Sequence, residues 1–164
     1  MPRYRVVLFA GLSLFVQTAC SAGQGKPEDV AKLLSAIFKR GVAEPKSIPD
    51  RQLLDAGVVV VREEIGQSGT KVPREALEGL SGWVLRPMEA LQHDADAAGA
   101  SKYFVVVESV TMVGNNAVVE WGTDLAIPKR EGKVIVVCCS LATDHYGKRG
   151  DTWAFDKRLR EIVF

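Results

Sequence analysis

This sequence lacks an excess of charge of either sign. Its 21 Lys and Arg residues are balanced by 20 Asp and Glu, so the formal net charge is +1. Nucleic-acid binding depends on clustered basic side chains that neutralise phosphates, and this balance therefore argues against DNA or RNA as a partner. With 164 residues, 47% of them hydrophobic and 25% charged, the chain has the composition of one globular domain with a core.

The sequence is also poor in the side chains that bind metals or act as nucleophiles. Its two histidines, His93 and His145, are far apart, and Cys138-Cys139 lacks the Cys-x-x-Cys spacing of a zinc site. Both cysteines end the apolar run 134–139, where they are either small buried thiols or a vicinal disulfide formed in an oxidising compartment. No Gly-x-Ser-x-Gly, Ser-x-x-Lys or His-Glu-x-x-His motif occurs. We therefore expect no metal, no cofactor and no nucleophilic hydrolase.

What is present at the N-terminus is the three-part pattern of a secretory signal, which we assign to residues 1–22. Arg3 and Arg5 precede the uncharged, mainly apolar run 6–16, and small residues follow at 19–22. The run rises about 17 Å as a helix, too short for a hydrocarbon core of roughly 30 Å, which argues against a permanent membrane helix. Without Arg3 and Arg5, the formal net charge becomes −1.

Residues 16–20, VQTAC, resemble the lipobox of bacterial lipoproteins, although Gln17 stands where that family usually has an aliphatic residue. The resemblance implies that Cys20 is diacylated and becomes the mature N-terminus, and that Ser21 favours the outer membrane. Residues 23–27 then read as a flexible tether. The alternative is ordinary cleavage after Ala22, with Cys20 lost with the signal.

The remaining residues, 28–164, are expected to form a single domain that opens with helices. Residues 28–40 have apolar side chains at helical spacing, and the helix should start near Pro27 and end at Gly41. Asp50 is expected to cap a short helix over 51–56. The β-branched run 57–64 predicts a strand, with a helix extended from Asp50 as the alternative.

A second helix is predicted over residues 73–98, with a kink at Pro87 and an end by Gly99. From residue 102 the apolar period changes from 3.6 to 2, which predicts four strands. They cover 103–113, 117–127, 133–146 and 152–164, and the third is long enough to need a bend or bulge. The fold class expected is α+β, with the helices packed on one face of a curved, mainly antiparallel sheet.

This order of elements resembles the NTF2-like superfamily, the cystatin-like cone fold of SnoaL-type and ketosteroid-isomerase-type proteins. Residues 53–60 look like the short strand after its first helices, and 69–77 like its turn into the next helix. Residues 142–146 and 150–158 are similar to its last hairpin, where a strand ends in an aromatic residue and the next begins with Trp-x-Phe. The resemblance covers 28–164 and implies a cone with an apolar pocket between sheet and helices.

Pockets of that family bind small molecules or carry out isomerisation and hydration with one carboxylate or histidine as base. The candidate bases here are Asp124, Asp144 and His145. The candidate pocket walls are Trp83, Tyr103 and Trp121. Because neighbouring strand residues point to opposite faces, Asp144 and His145 share a pocket only if a bulge intervenes.

No catalytic residue of the isomerases can be placed on this sequence, so we expect a non-catalytic protein. Its expected location is the periplasm, with Cys20 as a lipid anchor in the outer membrane, and its expected role is to bind a small ligand or an envelope protein. The alternatives are a SnoaL-type isomerase or hydratase, and an envelope inhibitor or immunity protein. A homodimer formed through the sheet face is a further expectation.

Overall fold

The computed structural model describes residues 25–129 and 139–164, which contain two α-helices and one seven-stranded sheet. Three short 3₁₀ turns, at Pro45–Ser47, Arg51–Leu53 and Arg74–Leu77, connect the elements of the first half. The helices are α1 (Pro27–Ala43) and α2 (Met88–Ala98), and the strands are β1 (Val59–Ile65), β2 (Thr70–Lys71), β3 (Trp83–Arg86), β4 (Lys102–Val113), β5 (Asn116–Ala126), β6 (Ser140–Arg149) and β7 (Thr152–Val163).

The sheet combines an antiparallel meander with a small mixed region. Strands follow the order β2-β1-β4-β5-β6-β7, and β3 pairs with β1 off this path. Every pair from β4 to β7 is antiparallel, whereas β1 runs parallel to both β3 and β4. The α+β class and the mainly antiparallel sheet are thereby confirmed. The strand predicted over 57–64 is also confirmed, as β1, and the helical alternative is wrong.

Helix α1 begins as predicted, with Pro27 in its first turn, but it continues past Gly41 to Ala43. Gly41 is buried, and a Cβ placed on it would lie 3.1 Å from Cδ1 of Ile48 and 3.3 Å from the ring of Trp83. The expectation that Gly41 ends the helix is therefore wrong. This glycine allows the close approach of two large side chains.

The helix predicted over 73–98 is wrong in its first half. The 3₁₀ turn Arg74–Leu77 leads into strand β3, and only α2 is helical. Gly79 and Gly82 adopt positive φ angles of 76° and 78°, which interrupt a right-handed helix. Pro87 lies at the N-cap of α2 rather than at a kink, and Gly99 ends the helix in the left-handed conformation, as expected.

The helix expected over 51–56 is reduced to the 3₁₀ turn Arg51–Leu53, and Asp50 does not cap it. Asp50 instead takes a left-handed backbone conformation with φ of 52°. Its carboxylate accepts a hydrogen bond of 2.7 Å from the hydroxyl of Ser140. A tertiary contact with β6 therefore replaces the local cap.

The two helices pack on opposite faces of the sheet, so the expectation that they share one face is wrong. In β4, Val105 and Val107 belong to the main hydrophobic cluster, which includes the buried face of α1. Phe104 and Val106 belong to a second cluster, with Leu91 of α2. These four consecutive buried residues have both faces of the strand covered, which explains why they do not alternate with polar residues.

Register shifts accompany the pairing of the long strands. Glu108 is an extra residue in β4 relative to β5, and β7 has extra residues at Asp156 and Leu159 relative to β6. Such shifts bend a strand and increase its local twist. The bulge expected within the strand over 133–146 is absent from its described part, residues 139–146, and the extra residues lie in its partner β7. Residues 133–138 lie outside the described part of the chain.

Candidate functional site

The six residues named as a pocket from the sequence do not share one side of the sheet. Trp83, Tyr103 and Trp121 pack in or against the cluster on the α1 side. Asp144 is bonded to Trp121 on the same side. Asp124 and His145 alternate with residues of that side and therefore face the other way. The predicted separation of Asp144 from His145 is confirmed.

Asp144 forms the most heavily bonded side-chain cluster of the described chain, on the α1 side of β6. Its carboxylate is fully buried and accepts a hydrogen bond of 3.0 Å from Nε1 of Trp121. Arg158 donates from Nε at 2.9 Å and from Nη2 at 3.3 Å, and Arg40 donates from Nη1 at 3.1 Å. Four donor contacts thus converge on two carboxylate oxygens.

These contacts belong to an alternating chain of five charges, which we call the Asp144 network. Arg40 also pairs with Glu44 at 3.3 Å, and Arg158 with Glu161 at 2.8 Å. Burial works to lower the pKa of Arg158, but the hydrogen bond and the charge of Asp144 more than compensate and raise it. The network therefore runs from one exposed carboxylate through the core to another.

The Asp144 network joins three separate parts of the chain. Arg40 lies in the last turn of α1 and stacks on the ring of Phe155 in β7, 3.4 Å from its centroid. Nη2 of Arg158 also donates to the carbonyl of Ser47, at 2.5 Å. Oδ2 accepts three of the four donor contacts and Oδ1 accepts one, so the fully buried carboxylate is engaged within the fold. We therefore assign Asp144 a structural role.

Sequence reasoning identified Asp144 but missed both arginines. The signal that was available is its position between the core residues Ala142 and Tyr146 on one face of β6. A carboxylate at such a position needs a cationic partner, because an unpaired buried charge is very costly. The sequence therefore indicated that a Lys or Arg pairs with Asp144, but it did not show which one.

Tyr146 lies beside this network and is 1% exposed. Burial raises the pKa of its hydroxyl to about 12, although the neighbouring Arg40 acts to lower it. The hydroxyl forms no hydrogen bond with any of the residues described. Arg40 lies close enough to lower this pKa, but no well-formed hydrogen bond satisfies the hydroxyl among the described residues.

His145 and Asp124 lie in different surroundings on the opposite face. Nδ1 of His145 is 3.0 Å from Oδ2 of Asp156, which is more than half exposed. The carboxylate of Asp124 accepts a hydrogen bond of 2.8 Å from the backbone N–H of Leu125. His145 is paired with Val118 of β5, and Asp124 lies six residues further along the same strand. The two positions are therefore about 20 Å apart along the sheet. These two groups cannot act on one atom.

A cavity of about 830 Å³ lies elsewhere, over the outer surface of α1, and we call it the α1 cavity. None of the six residues named from the sequence lines it. Its floor is made of small residues of α1, and its walls come from the segment after Pro73 and from the turn between β6 and β7. The lining residues are Ala31, Lys32, Ser35, Ala36, Lys39, Glu75, Glu78, Gly79, Asp151, Thr152 and Trp153.

The charged groups of the α1 cavity are only partly neutralised. Lys32 and Asp151 form an ion pair of 2.6 Å, which raises the pKa of Lys32 and lowers that of Asp151. Within residues 25–129 and 139–164, the structure shows no ion pair for Lys39, Glu75 or Glu78. These three exposed charges remain available to a ligand.

Trp153 lines the same cavity, but its indole N–H is covered. Its side chain is 6% exposed, and its indole N–H has no hydrogen-bond partner among the described residues. Buried N–H groups in native proteins are normally paired with protein or water. The indole N–H of Trp153 is therefore a buried donor behind the cavity wall that the described residues leave unpaired.

Smaller cavities lie elsewhere in the described chain. One, of about 600 Å³, is lined by Arg40, Glu44 and Arg158 of the Asp144 network and by Ser47, whose buried hydroxyl has no hydrogen-bond partner among the described residues. Another, of about 510 Å³, lies beside α2 and includes Tyr103. Cavities of about 390 and 330 Å³ lie beside β3 and at the start of α1, and neither contains a buried polar side chain without a partner among the described residues.

The interpretation of both cysteines as free buried thiols is wrong for Cys139, which is disulfide-bonded. Cys138 and the bonded partner lie outside the described residues, as does Cys20. Among the residues that the structure places, no three His, Cys, Asp or Glu side chains come together as metal ligands. Over the same residues, no helix is long and apolar enough to cross a membrane.

Neither a scan against protein-family models nor a search of curated proteins finds a match for this chain.

Proposed function

We propose that this protein is an exported, non-catalytic binding module of the bacterial envelope, and that it holds a small ligand in the α1 cavity. The observation that carries this proposal is the open charge of that cavity. Lys39, Glu75 and Glu78 line it without an ion pair in the described structure, whereas the buried charges of the Asp144 network are matched.

The size and the position of the cavity support a ligand role. A volume of about 830 Å³ lies within the usual range of small-molecule sites, roughly 300–1,000 Å³. Three elements that are distant in sequence surround it, and all of them are held by packing or by ion pairs. Asp29 and Lys148 form a second ion pair of 2.6 Å between α1 and the β6 end of its hairpin with β7. Two ion pairs therefore connect α1 to the β6–β7 hairpin beside the cavity.

The NTF2-like cone is part of the same proposal. It is supported by a first helix that packs on one face of a bent sheet, and by a last hairpin that contains Tyr146 and Trp153 as the resemblance implies. Helix α2, on the opposite face, adds an element that the expected one-sided packing did not include.

Export and lipid anchoring are proposed from residues 1–22 and from Cys20. Wild-type protein expressed in a bacterial host should incorporate labelled palmitate and fractionate with membranes, because the acylated cysteine inserts into the bilayer. The Cys20→Ser variant should appear as unlabelled, soluble protein. Unlabelled wild type in the soluble fraction would contradict the anchor and leave export intact.

Binding in the α1 cavity is tested by filling it. We expect wild-type protein recovered from the envelope to carry a bound mass in native mass spectrometry that denaturation releases. Ser35→Trp should remove the bound mass, because the indole occupies the floor of the cavity. The matched control is Val42→Trp, at a position on the same helix that is 51% exposed and outside the cavity.

Two results would contradict the proposal. Equal bound mass in Ser35→Trp and wild type would place the ligand elsewhere. The absence of any bound mass, in protein that melts cooperatively, would remove the evidence for a retained ligand.

A further inference from the structure

The charges of the α1 cavity lie on different segments of the chain. Its positive groups lie on α1, where Lys32 and Lys39 are seven residues apart and therefore about 10 Å apart along the helix axis. Its unpaired negative groups lie on the wall formed by the segment after Pro73, where Glu75 and Glu78 belong to the 3₁₀ turn and the residue that follows it. The unpaired charges are therefore segregated by sign between α1 and this wall.

This polarity selects among classes of ligand. A simple anion attracted to Lys39 would also face Glu75 and Glu78, and a simple cation attracted to the glutamates would face Lys39. Like charges brought close together oppose binding, whereas complementary charges favour it. A ligand with one group of each sign, held a few bonds apart, satisfies both walls.

We propose that the α1 cavity binds a small zwitterion, either an amino acid or a short peptide with a free ammonium and a free carboxylate. The carboxylate lies toward Lys39 and the ammonium toward Glu75 and Glu78. The small floor residues Ala31 and Ser35 leave room for the body of the ligand. This inference rests on the proposed binding function and specifies its ligand.

Lys32 is less available than Lys39, because Asp151 already neutralises it at 2.6 Å. The indole nitrogen of Trp153 is covered, and we assign it no direct ligand contact. It is nevertheless a local reporter, because Trp153 lines the cavity and lies two residues after Asp151. Any ligand that approaches this wall changes the environment of its N–H.

The test uses three peptide probes and the ¹H–¹⁵N resonance of the Trp153 indole, assigned with Trp153→Phe. Trialanine carries both charges, N-acetyl-trialanine carries only the carboxylate, and trialanine amide carries only the ammonium. We expect trialanine to shift the resonance in a saturable way. Each capped peptide should bind at least about tenfold more weakly, since it loses one of the two charge contacts.

Variants assign the two charges to their walls. Lys39→Met should weaken trialanine binding several-fold and leave the affinity for trialanine amide nearly unchanged, because that probe has no carboxylate. Glu78→Gln should show the reverse pattern with N-acetyl-trialanine. Lys46→Met, at an exposed lysine outside the cavity, is the control and should bind all three probes like wild type.

The proposal is overturned if the capped peptides bind as tightly as trialanine, or if no probe shifts the resonance at concentrations up to about 10 mM, the weak end of specific binding. The two experiments distinguish an error in the proposed ligand class from an error in the proposed binding function. A bound mass that Ser35→Trp removes, together with no response to trialanine, would refute only the zwitterion. A bound mass that Ser35→Trp retains would refute the proposed function itself.

Discussion

Lys39 and Arg40 are neighbours on α1, yet their positive charges have opposite surroundings. Arg40 turns toward the sheet, where Asp144, Glu44 and the ring of Phe155 surround its guanidinium. Lys39 turns outward into the α1 cavity and forms no ion pair with any described residue. Two consecutive residues of α1 therefore differ, because the charge of Arg40 is paired within the fold and that of Lys39 is unpaired among the described residues.

The Asp144 network and the α1 cavity therefore differ in what a substitution should change. A buried carboxylate that two arginines and an indole N–H hold together is costly to disturb, because its loss leaves buried charges unpaired. Unpaired charges on the wall of a cavity add little to stability, and they can recognise a ligand. Substitutions in the first region should therefore change the free energy of unfolding, and substitutions in the second should change binding.

The largest expected effect on stability is that of Asp144→Ala. The change leaves Arg40 and Arg158 partly buried without their shared carboxylate, and breaking a buried pair in this way costs about 3–5 kcal/mol. That is a large share of a total stability of roughly 5–15 kcal/mol. Urea unfolding followed by circular dichroism measures it.

The matched control for Asp144→Ala is Glu78→Gln in the α1 cavity, which should change the free energy of unfolding by less than about 0.5 kcal/mol. Comparable losses in the two variants would break the distinction between the regions. A loss of less than about 1 kcal/mol for Asp144→Ala would show that the network contributes little to the fold.

A smaller effect is expected for Tyr146→Phe, which removes a buried hydroxyl that the described residues leave unsatisfied. An unsatisfied buried group costs about 1–3 kcal/mol, so the variant should be as stable as wild type at pH 7 or more so. A clear loss of stability would show that the hydroxyl has a partner.

The same variant makes a prediction about alkaline pH. Burial raises the pKa of Tyr146 from 10 to about 12 in the folded state, so wild-type stability is intact below pH 10 and falls as the unfolded chain ionises above it. By pH 12 the difference from Tyr146→Phe should grow by on the order of 2 kcal/mol. Parallel stability curves for the two proteins would contradict the buried, protonated state.

The parts of the fold that the sequence predicted best are those with strong local signals. The turn at residues 114–116 joins β4 to β5 as expected, because Gly114 takes a positive φ of 58°. The apolar stripe of α1 is buried as predicted, from Leu33 to Phe38. In both cases, short-range spacing and turn chemistry were sufficient.

Other elements depend on contacts that spacing does not encode. Leu77, Leu80 and Val84 imitate a helical stripe, but the chain there turns at two glycines and enters β3, whose pairing with β1 stabilises the extended form. Helix α2 was expected on the same side as α1. The apolar run over residues 104–107 in β4 indicated otherwise, because four buried residues in succession require both faces of the strand to be covered.

The candidate site was harder to predict, for a physical reason. The partners of Asp144 lie 104 and 14 residues away in sequence, so the fold alone brings them together. The α1 cavity is likewise assembled from three distant segments. Its charged residues follow no motif spacing. They stand out only in the structure, where Lys39, Glu75 and Glu78 form no ion pair with the described residues.

The variant Asp144→Asn separates the two regions, because it keeps the size of the side chain and removes its charge. The melting temperature and the bound mass of the same preparation should be measured together, the latter well below the melting transition. We predict a lowered melting temperature and an unchanged bound mass, because the network holds the fold and the ligand lies elsewhere. A variant with the wild-type melting temperature that has lost its bound mass would contradict this account and give Asp144 a role in ligand chemistry.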